Sequence, residues 1–469
     1  MDNVNSHTIV ETLIKQRNTE FIENDLRPFL RIPSNTLNKD GIHRAKEFIL
    51  SYLSDIAEDI KEHPGEINPL ITAKIKGKLE ETLLIYMMYD TQPIDREDDW
   101  ISDPYGAEIS LVPPPLDILG KCIIARGAYN SKTPLICFLN VIKELKKKKE
   151  LPLSLILMFD GEEEIGSPTL QKFLESNSVL FKPCNDAYYP ATKQDLEGVS
   201  ILKLGYKGIL SLTFKVYTKN KEPHSAFSAM IPNPATDLIS LLNTIYSENK
   251  FLIKSLRSPY EMTEGDKLLL NDLMKKLDLE KIKMKAGIIE TVGDDLRDTF
   301  ISYLFKPTFN ISTLKSGYLD KGAKNMVANQ ALCNIDIRFP HDVTIDEIFR
   351  EIKEKVEIFS KNSKCSFELI KNIGYEGSRV SKDSILVKSL IETANILDFN
   401  SEIWPLSAAA APLSIIQKTL GLDFIVGGLG IGGYAHSPNE FIQYDSIINT
   451  RLSYYYFLKK YAELVKRNS

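Results

Sequence analysis

The chain has 469 residues, 43% hydrophobic and 26% charged, the proportions of a globular protein with more than one core. A formal net charge of −5 excludes the broad basic face that a nucleic-acid binder needs. No apolar stretch reaches membrane-spanning length, so neither nucleic acid nor membrane is expected as a partner.

The opening MDNVNSHTIVETLIKQ lacks the hydrophobic centre of a secretory signal. The five cysteines are far apart with no CxxC pair, which points to free thiols, a cytoplasmic location and no cysteine-based zinc site. Along the chain, 70–78 alternates like a strand with one polar face. The run 82–90 is a buried strand, and LLIYMMYDTQP (83–93) stops at Asp90 before turning at Pro93. A helix is predicted over 134–147, with Leu135, Leu139, Ile142 and Leu145 on one face and Pro134 in its first turn. The basic run 146–149 reads as its solvated last turn. LPLSLILMFD (151–160) is a further buried strand, and Ser167 with Pro168 is predicted to cap and open the next helix. This alternation implies a mostly parallel sheet covered by helices.

From about residue 207 the pattern changes. GILSLTFKVYT alternates like a strand with one wet face, and a helix follows over 233–246. A charged helical stretch runs to about 304, then strands at 308–314 and 325–339, a helix at 344–360 and a strand at 366–372. Helices at 384–397 and 412–420, a strand at 423–426 and a final long helix return to the first pattern. The predicted fold class is therefore α/β, discontinuous, with 1–205 and 376–469 forming the α/β/α domain and 206–375 an inserted α+β domain.

Four segments carry candidate chemistry. FDGEEEIGSP (159–168) places three glutamates at the carboxyl end of a buried strand, where open α/β sheets bind ligands; a solvated acidic loop is an equal reading of that stretch alone. Adjacent carboxylates there repel and call for a cation or a shared proton. ARGAYNSK (125–132) is a small-residue turn after a strand. NKEPHSAFSAMIPNP (220–234) carries His224, and GGLGIGGYAHSPNEF (427–441) carries His436 and Glu440. A lone loop histidine is more often exposed than ligating.

Together and in this order, with KPTFNISTLKSGY (306–318) and NIDIRFP (334–340), these segments resemble the dinuclear zinc exopeptidases and deacylases of metallopeptidase family twenty. That group includes carnosinases, glutamate carboxypeptidases, acetylornithine deacetylases and succinyl-diaminopimelate desuccinylases. The resemblance runs from about residue 18 to the end of the chain. It implies a zinc-peptidase-like domain with an inserted ferredoxin-like lid and dimerisation domain. It also implies hydrolysis of peptide or N-acyl amide bonds beside a terminal carboxylate, with a small peptide or N-acyl amino acid as ligand.

Carried over residue by residue, the resemblance makes Glu163 the general base and Glu164 and His436 zinc ligands. Asp90 becomes the acid that orients the first metal-binding histidine. His224 would stabilise the oxyanion across a homodimer interface, Arg338 would grip the substrate carboxylate, and Asn310 would add a polar contact. Met88 stands where the first histidine belongs, Asn130 where the bridging aspartate belongs, and Pro190 or Thr192 where a further acid belongs. A thioether suits Cu(I) rather than zinc among oxygen donors, and an amide oxygen brings no charge. A two-zinc centre is therefore not expected. The cofactor is none, or one weakly bound divalent cation, zinc by preference, at Glu164, His436 and, weakly, Asn130. The substrate loop of the family reads here as AAAAP (408–412). The implied function is an impaired or non-catalytic relative serving as a binding or scaffold protein. The alternative is an active single-metal dipeptidase, carboxypeptidase or deacylase using Glu163 as base.

Overall fold

After short helical segments between Ile9 and Leu30, Asn38 caps helix α1 (Lys39–Leu53) by accepting the Gly41 N–H on its side chain. Strands β1 (Asp59–His63), β2 (Leu70–Ile75) and β3 (Leu79–Met88) come next, the last buried along its second half. The structure is a computed structural model that describes residues 9–95, 98–285 and 288–468. Helix α2 (Lys132–Lys147) buries almost every side chain from Lys132 to Ile142. It leads to β4 (Leu153–Asp160), α3 (Leu170–Ser176), β5 (Cys184–Pro190) and β6 (Ser200–Lys203).

The chain continues with β7 (Gly208–Tyr217), α4 (Pro234–Ile245), several short helices, β8 (Thr308–Ser316), β9 (Gln330–Phe339), α5 (Ile345–Ser360) and β10 (Ser366–Tyr375). It ends with α6 (Ile385–Ile396), β11 (Ser401–Trp404), α7 (Leu413–Leu420), β12 (Asp423–Gly427) and α8 (Ile447–Asn468).

The described residues form two compact units. One runs to Leu204 and resumes at Val380–Trp404 and from Ile415; the other comprises Gly205–Arg379 and Pro405–Ser414. The first contains a six-stranded sheet in the order β1-β2-β4-β3-β5-β12. Its strands β4, β3, β5 and β12 run parallel, while β2 pairs antiparallel with β4 and with β1. The continuous apolar runs of β3 and β4 are buried on both faces, as a covered parallel sheet requires.

The second unit is a four-stranded antiparallel sheet in the order β8-β9-β7-β10, with α4 and α5 packed against it. Connection β-α-β-β-α-β and that order make it ferredoxin-like. Strand β7 alternates buried and half-buried residues, and Leu210, Leu212, Phe214 and Val216 join Leu238, Leu241, Ile348 and Ile352 in its core.

Two expectations change. Ser167 does not cap a helix: it sits at φ 51° and its hydroxyl donates to Asp160 Oδ2 at 2.7 Å, so the helix begins only at Leu170. The buried carboxylate competes successfully for the hydroxyl that would have capped. The loop 405–414, expected with the first domain, belongs to the second unit. There Ser407 N donates to Gly205 O, and Lys207 N points at Ser407 O and Ala409 O.

One packing feature gives a pH-dependent expectation. Parallel register sets Asp186 on β5 beside Asp423 on β12, and the Tyr461 hydroxyl donates to Asp186 Oδ2 at 2.7 Å. Burial lifts the Asp186 carboxyl to about 6; the tyrosine bond lowers it and the Asp423 charge adds to the rise. A carboxyl raised in the folded state contributes stability that is fully present below its unfolded pKa and lost as pH rises through about 6. Asp186→Asn should therefore stabilise the chain by about 1–2 kcal/mol at pH ~7–8 and by almost nothing near pH ~4. Thermal melts across that range, compared with the unaltered chain, check the crossover.

Candidate active site

The end of β3 delivers Met88, 1% exposed, and then Asp90, which is fully buried. Asp90 accepts Thr36 Oγ1 at 2.8 Å and the Glu164 N–H at 3.1 Å on Oδ2, and the Glu163 N–H at 3.3 Å on Oδ1. Its role in this chain is thus to hold the turn carrying the two glutamates, with no histidine at Met88 left to orient. Burial, then the charges of Asp160 and Glu164, push its carboxyl well above the usual range.

The three glutamates after β4 have different environments. Glu162 is fully buried and receives the Asn68 N–H at 2.8 Å and the Thr169 N–H at 3.3 Å, which makes it a structural acceptor. Glu163 is half-buried, and burial followed by Glu164, Asp90 and Asp160 drives its pKa strongly upward. Glu164 is the hub. Its Oε1 accepts Asn130 Nδ2 at 2.9 Å, its Oε2 accepts Gln92 Nε2 at 2.8 Å, and His436 Nε2 lies 3.2 Å from Oε2.

The position of Asn130 comes from Glu440. That carboxylate accepts the N–H groups of Gly127, Tyr129 and Asn130 at 3.0, 3.0 and 2.7 Å and the Arg126 guanidinium at 2.8 Å. The Glu164 carboxylate, an acceptor when ionised, takes the Asn130 NH₂ and leaves Oδ1 to accept the Ser131 hydroxyl at 3.0 Å. The same Nδ2 lies 3.0 Å from His436 Nε2. One ring nitrogen cannot both donate to Glu164 and accept from Asn130, so the two contacts belong to different tautomers or protonation states. The hydrogen bond to Glu164 is the first cause that raises the His436 pKa, and burial opposes it.

A cation would find poor ligation here. Glu164 and His436 are drawn together, but the third position directs amide hydrogens, not an oxygen, at them. Among the described residues no three His, Cys, Asp or Glu side chains are grouped to hold a metal. Catalytic zinc commonly takes three protein ligands. The residues therefore do not fit the two-zinc centre implied by the resemblance.

Strand β5 adds a further departure. Thr192 is buried against Gly430: a Cβ there would stand 2.7 Å from Thr192 Cγ2 and 2.5 Å from Thr450 Oγ1. Pro190 closes the strand opposite Gly427. The residue that reaches the acidic cluster is Tyr189, whose hydroxyl is 2.6 Å from Ser131 Oγ and whose pKa is raised first by burial and then by Glu163.

The second unit holds the other three candidates. His224 is exposed in a loop, where its Nδ1 accepts the Ala226 N–H at 3.1 Å. Arg338 on β9 lies 3.5 Å from Asp336 Oδ1, and Asn310 on β8 donates to Asp336 Oδ2 at 2.7 Å. The arginine expected to grip a substrate carboxylate and the asparagine expected to add a polar contact thus share an internal carboxylate. Sequence reasoning missed Gln92, Glu440 as a cradle, and Asp336. Gln92 stands two residues past Asp90, and Asp336 two before Arg338, so proximity to the motifs was the available signal.

Comparison with known proteins agrees with this architecture. The family described as Peptidase family M20/M25/M40 matches residues 84–460. The chain is 25% identical over 405 residues to the Cys-Gly metallodipeptidase DUG1 of Candida albicans, covering 82% of this chain and 79% of that protein. It is 23% identical over 307 residues to a mouse Beta-Ala-His dipeptidase, covering 63% and 59%. Among solved structures, the M20 family metallo-carboxypeptidase Sso-CP2 of Sulfolobus solfataricus superposes with a TM-score of 0.83 at 27% identity, covering 93% of this chain and 98% of that one. Human carnosine dipeptidase 1 gives 0.77 at 18% identity, covering 97% and 98%.

Proposed function

The chain belongs to peptidase family M20/M25/M40, and we propose that it retains the family fold as a binding or scaffold protein without metal-dependent amide hydrolysis. The observation that carries this reading is the Asn130 amide, whose NH₂ bonds Glu164 and faces His436 where a bridging acid would place an oxygen. Gln92 completes the hydrogen bonding of Glu164, so the two retained donors are satisfied by protein groups. Arg338 and Asn310 remain suited to a small peptide or N-acyl amino acid, in competition with Asp336.

Five buried free cysteines support a reducing, cytoplasmic setting. No helix of the described residues is long and apolar enough to cross a membrane. A homodimer through the inserted unit is implied by the family resemblance, and it would give the exposed His224 a partner subunit to reach.

The test is turnover of Cys-Gly, β-Ala-His and a panel of N-acyl amino acids by purified chain with added zinc or manganese. The expected rate equals that of the protein-free control. Hydrolysis that disappears with chelator and in Glu163→Gln would overturn the reading.

A further inference from the structure

Beyond the degenerate centre, a pair of lysines in the first unit is brought together without an acidic partner among the described residues. Between Pro190 and Gln194 the chain runs extended along the glycine-rich loop, with Ala191 N donating to Gly427 O, Lys193 N to Gly428 O and Gln194 N to Gly430 O. Alternation buries Thr192 and Gln194, 2% and 5% exposed, and turns the half-buried Lys193 to the opposite face. Strand β6 does the same: Ser200 and Leu202 are buried, while Ile201 and Lys203 face the other way. Ile201 N donates to Lys193 O at 2.7 Å and joins the two segments.

Each amine then lies against an aromatic ring. Lys193 Nζ is 6.0 Å from the Tyr129 centroid, and Lys203 Nζ is 5.6 Å from that of its register neighbour Trp404. Burial lowers the pKa of both, that of Lys203 to about 8 with the Lys193 charge as a further cause, and no carboxylate of the described residues acts on either. Solvated surface lysines would need no ligand, but two half-buried ammonium groups repelling each other leave a charge that either loss of a proton or a bound anion relieves, and an anion holds both in the charged form. Ring faces hold cations while leaving N–H bonds directed elsewhere.

The placement matters because Tyr129 directly precedes Asn130 and Lys193 directly follows Thr192, a position where the resemblance calls for an acid. Lys193 and the ring it lies against are thus each one residue from a position where an expected metal ligand has been lost. We propose that Lys193 and Lys203 form a binding site for the oxyanion group, carboxylate or phosphate, of a small ligand. The site does not depend on whether the chain cleaves peptides, and binding reads it separately from turnover.

Calorimetric titration at low ionic strength tests the site, with inorganic phosphate and succinate as probes. Binding in the millimolar range or tighter is expected for at least one probe, and the probe that binds identifies the class. Lys193→Met or Lys203→Met should weaken it by about tenfold or more, as loss of a charge-assisted hydrogen bond does. No heat with either probe, or binding unchanged in the double variant, would overturn the proposal. Should the variants unfold, carbon-13 dimethylation of the unaltered chain keeps the test open. The signals of both lysines, assigned through Lys→Arg variants, should move on adding the anion, and static signals would overturn the site.

Discussion

Asn130→Asp should make the stability of this chain depend on zinc, while the unaltered chain melts at the same temperature with zinc or with chelator. The substitution removes the NH₂ that donates to Glu164 at 2.9 Å and puts an oxygen in its place. Without metal, two carboxylates then face each other with no donor from residue 130, and Gln92 and His436 remain as the partners of Glu164, at a cost of about 1–3 kcal/mol for the lost bond and the repulsion. With metal, Glu164, His436 and the introduced carboxylate supply three protein donors, the number usual for catalytic zinc. The Glu440 cradle positions residue 130 through its backbone N–H and should survive the change. Melting of the variant should fall in chelator and rise with zinc by RT ln(1 + [L]/Kd). A zinc-dependent melt of the unaltered chain would show that the amide geometry does not exclude the cation.

The fuller reversion suggested by sequence, Met88→His and Asn130→Asp with an acid at Pro190 or Thr192, should not recover a second metal. Met88 is 1% exposed, and Thr192 is packed at Gly430 and Thr450 rather than at the acidic cluster. New polar groups there would be buried without partners. Metal analysis of the triple variant should find no more than one zinc per chain.

That contrast marks where sequence reading succeeded and where it stopped. Strands β3 and β4 were legible because each is a short continuous apolar run that ends at an acid and a turn, the pattern of a strand covered on both faces. The inserted α+β unit was legible because β7 alternates with a period of two, whereas its ferredoxin-like character was implied only by the resemblance. Other short elements were not: strands Glu108–Ser110, Gly432–Gly433 and Phe441–Gln443 are too brief to show a period, and they form a sheet with Cys122–Ile124, the strand expected before the 125–132 turn. Candidate residues could be placed by motif, but their partners could not. Whether Asn130 offers oxygen or NH₂, and whether Arg338 faces an internal acid, depends on Glu164, Ser131 and Asp336 in three dimensions. Spacing along a chain carries no such information.

Glu440→Ala should be the most destabilising single substitution around the site. Glu440 and Arg126 are each 1% exposed and meet at 2.8 Å, with Arg126 also stacked 5.3 Å from the Trp100 ring. The same carboxylate accepts three backbone N–H groups, from Gly127, Tyr129 and Asn130. Truncation leaves a buried guanidinium uncompensated and three donors without an acceptor, a loss of about 3–5 kcal/mol for the broken pair alone. Denaturant midpoints should fall accordingly, with the slope unchanged. The pair's net value is a separate quantity, since desolvating both charges offsets much of their attraction. Arg126→Met combined with Glu440→Gln separates the two: an amide in place of the carboxylate keeps an acceptor for part of the cradle and leaves no buried charge. If the double variant recovers most of the loss, the penalty lies in the orphaned charge. If it stays as low as Glu440→Ala, the carboxylate is needed chiefly to hold the 126–130 turn, and Asn130 with it, against Glu164.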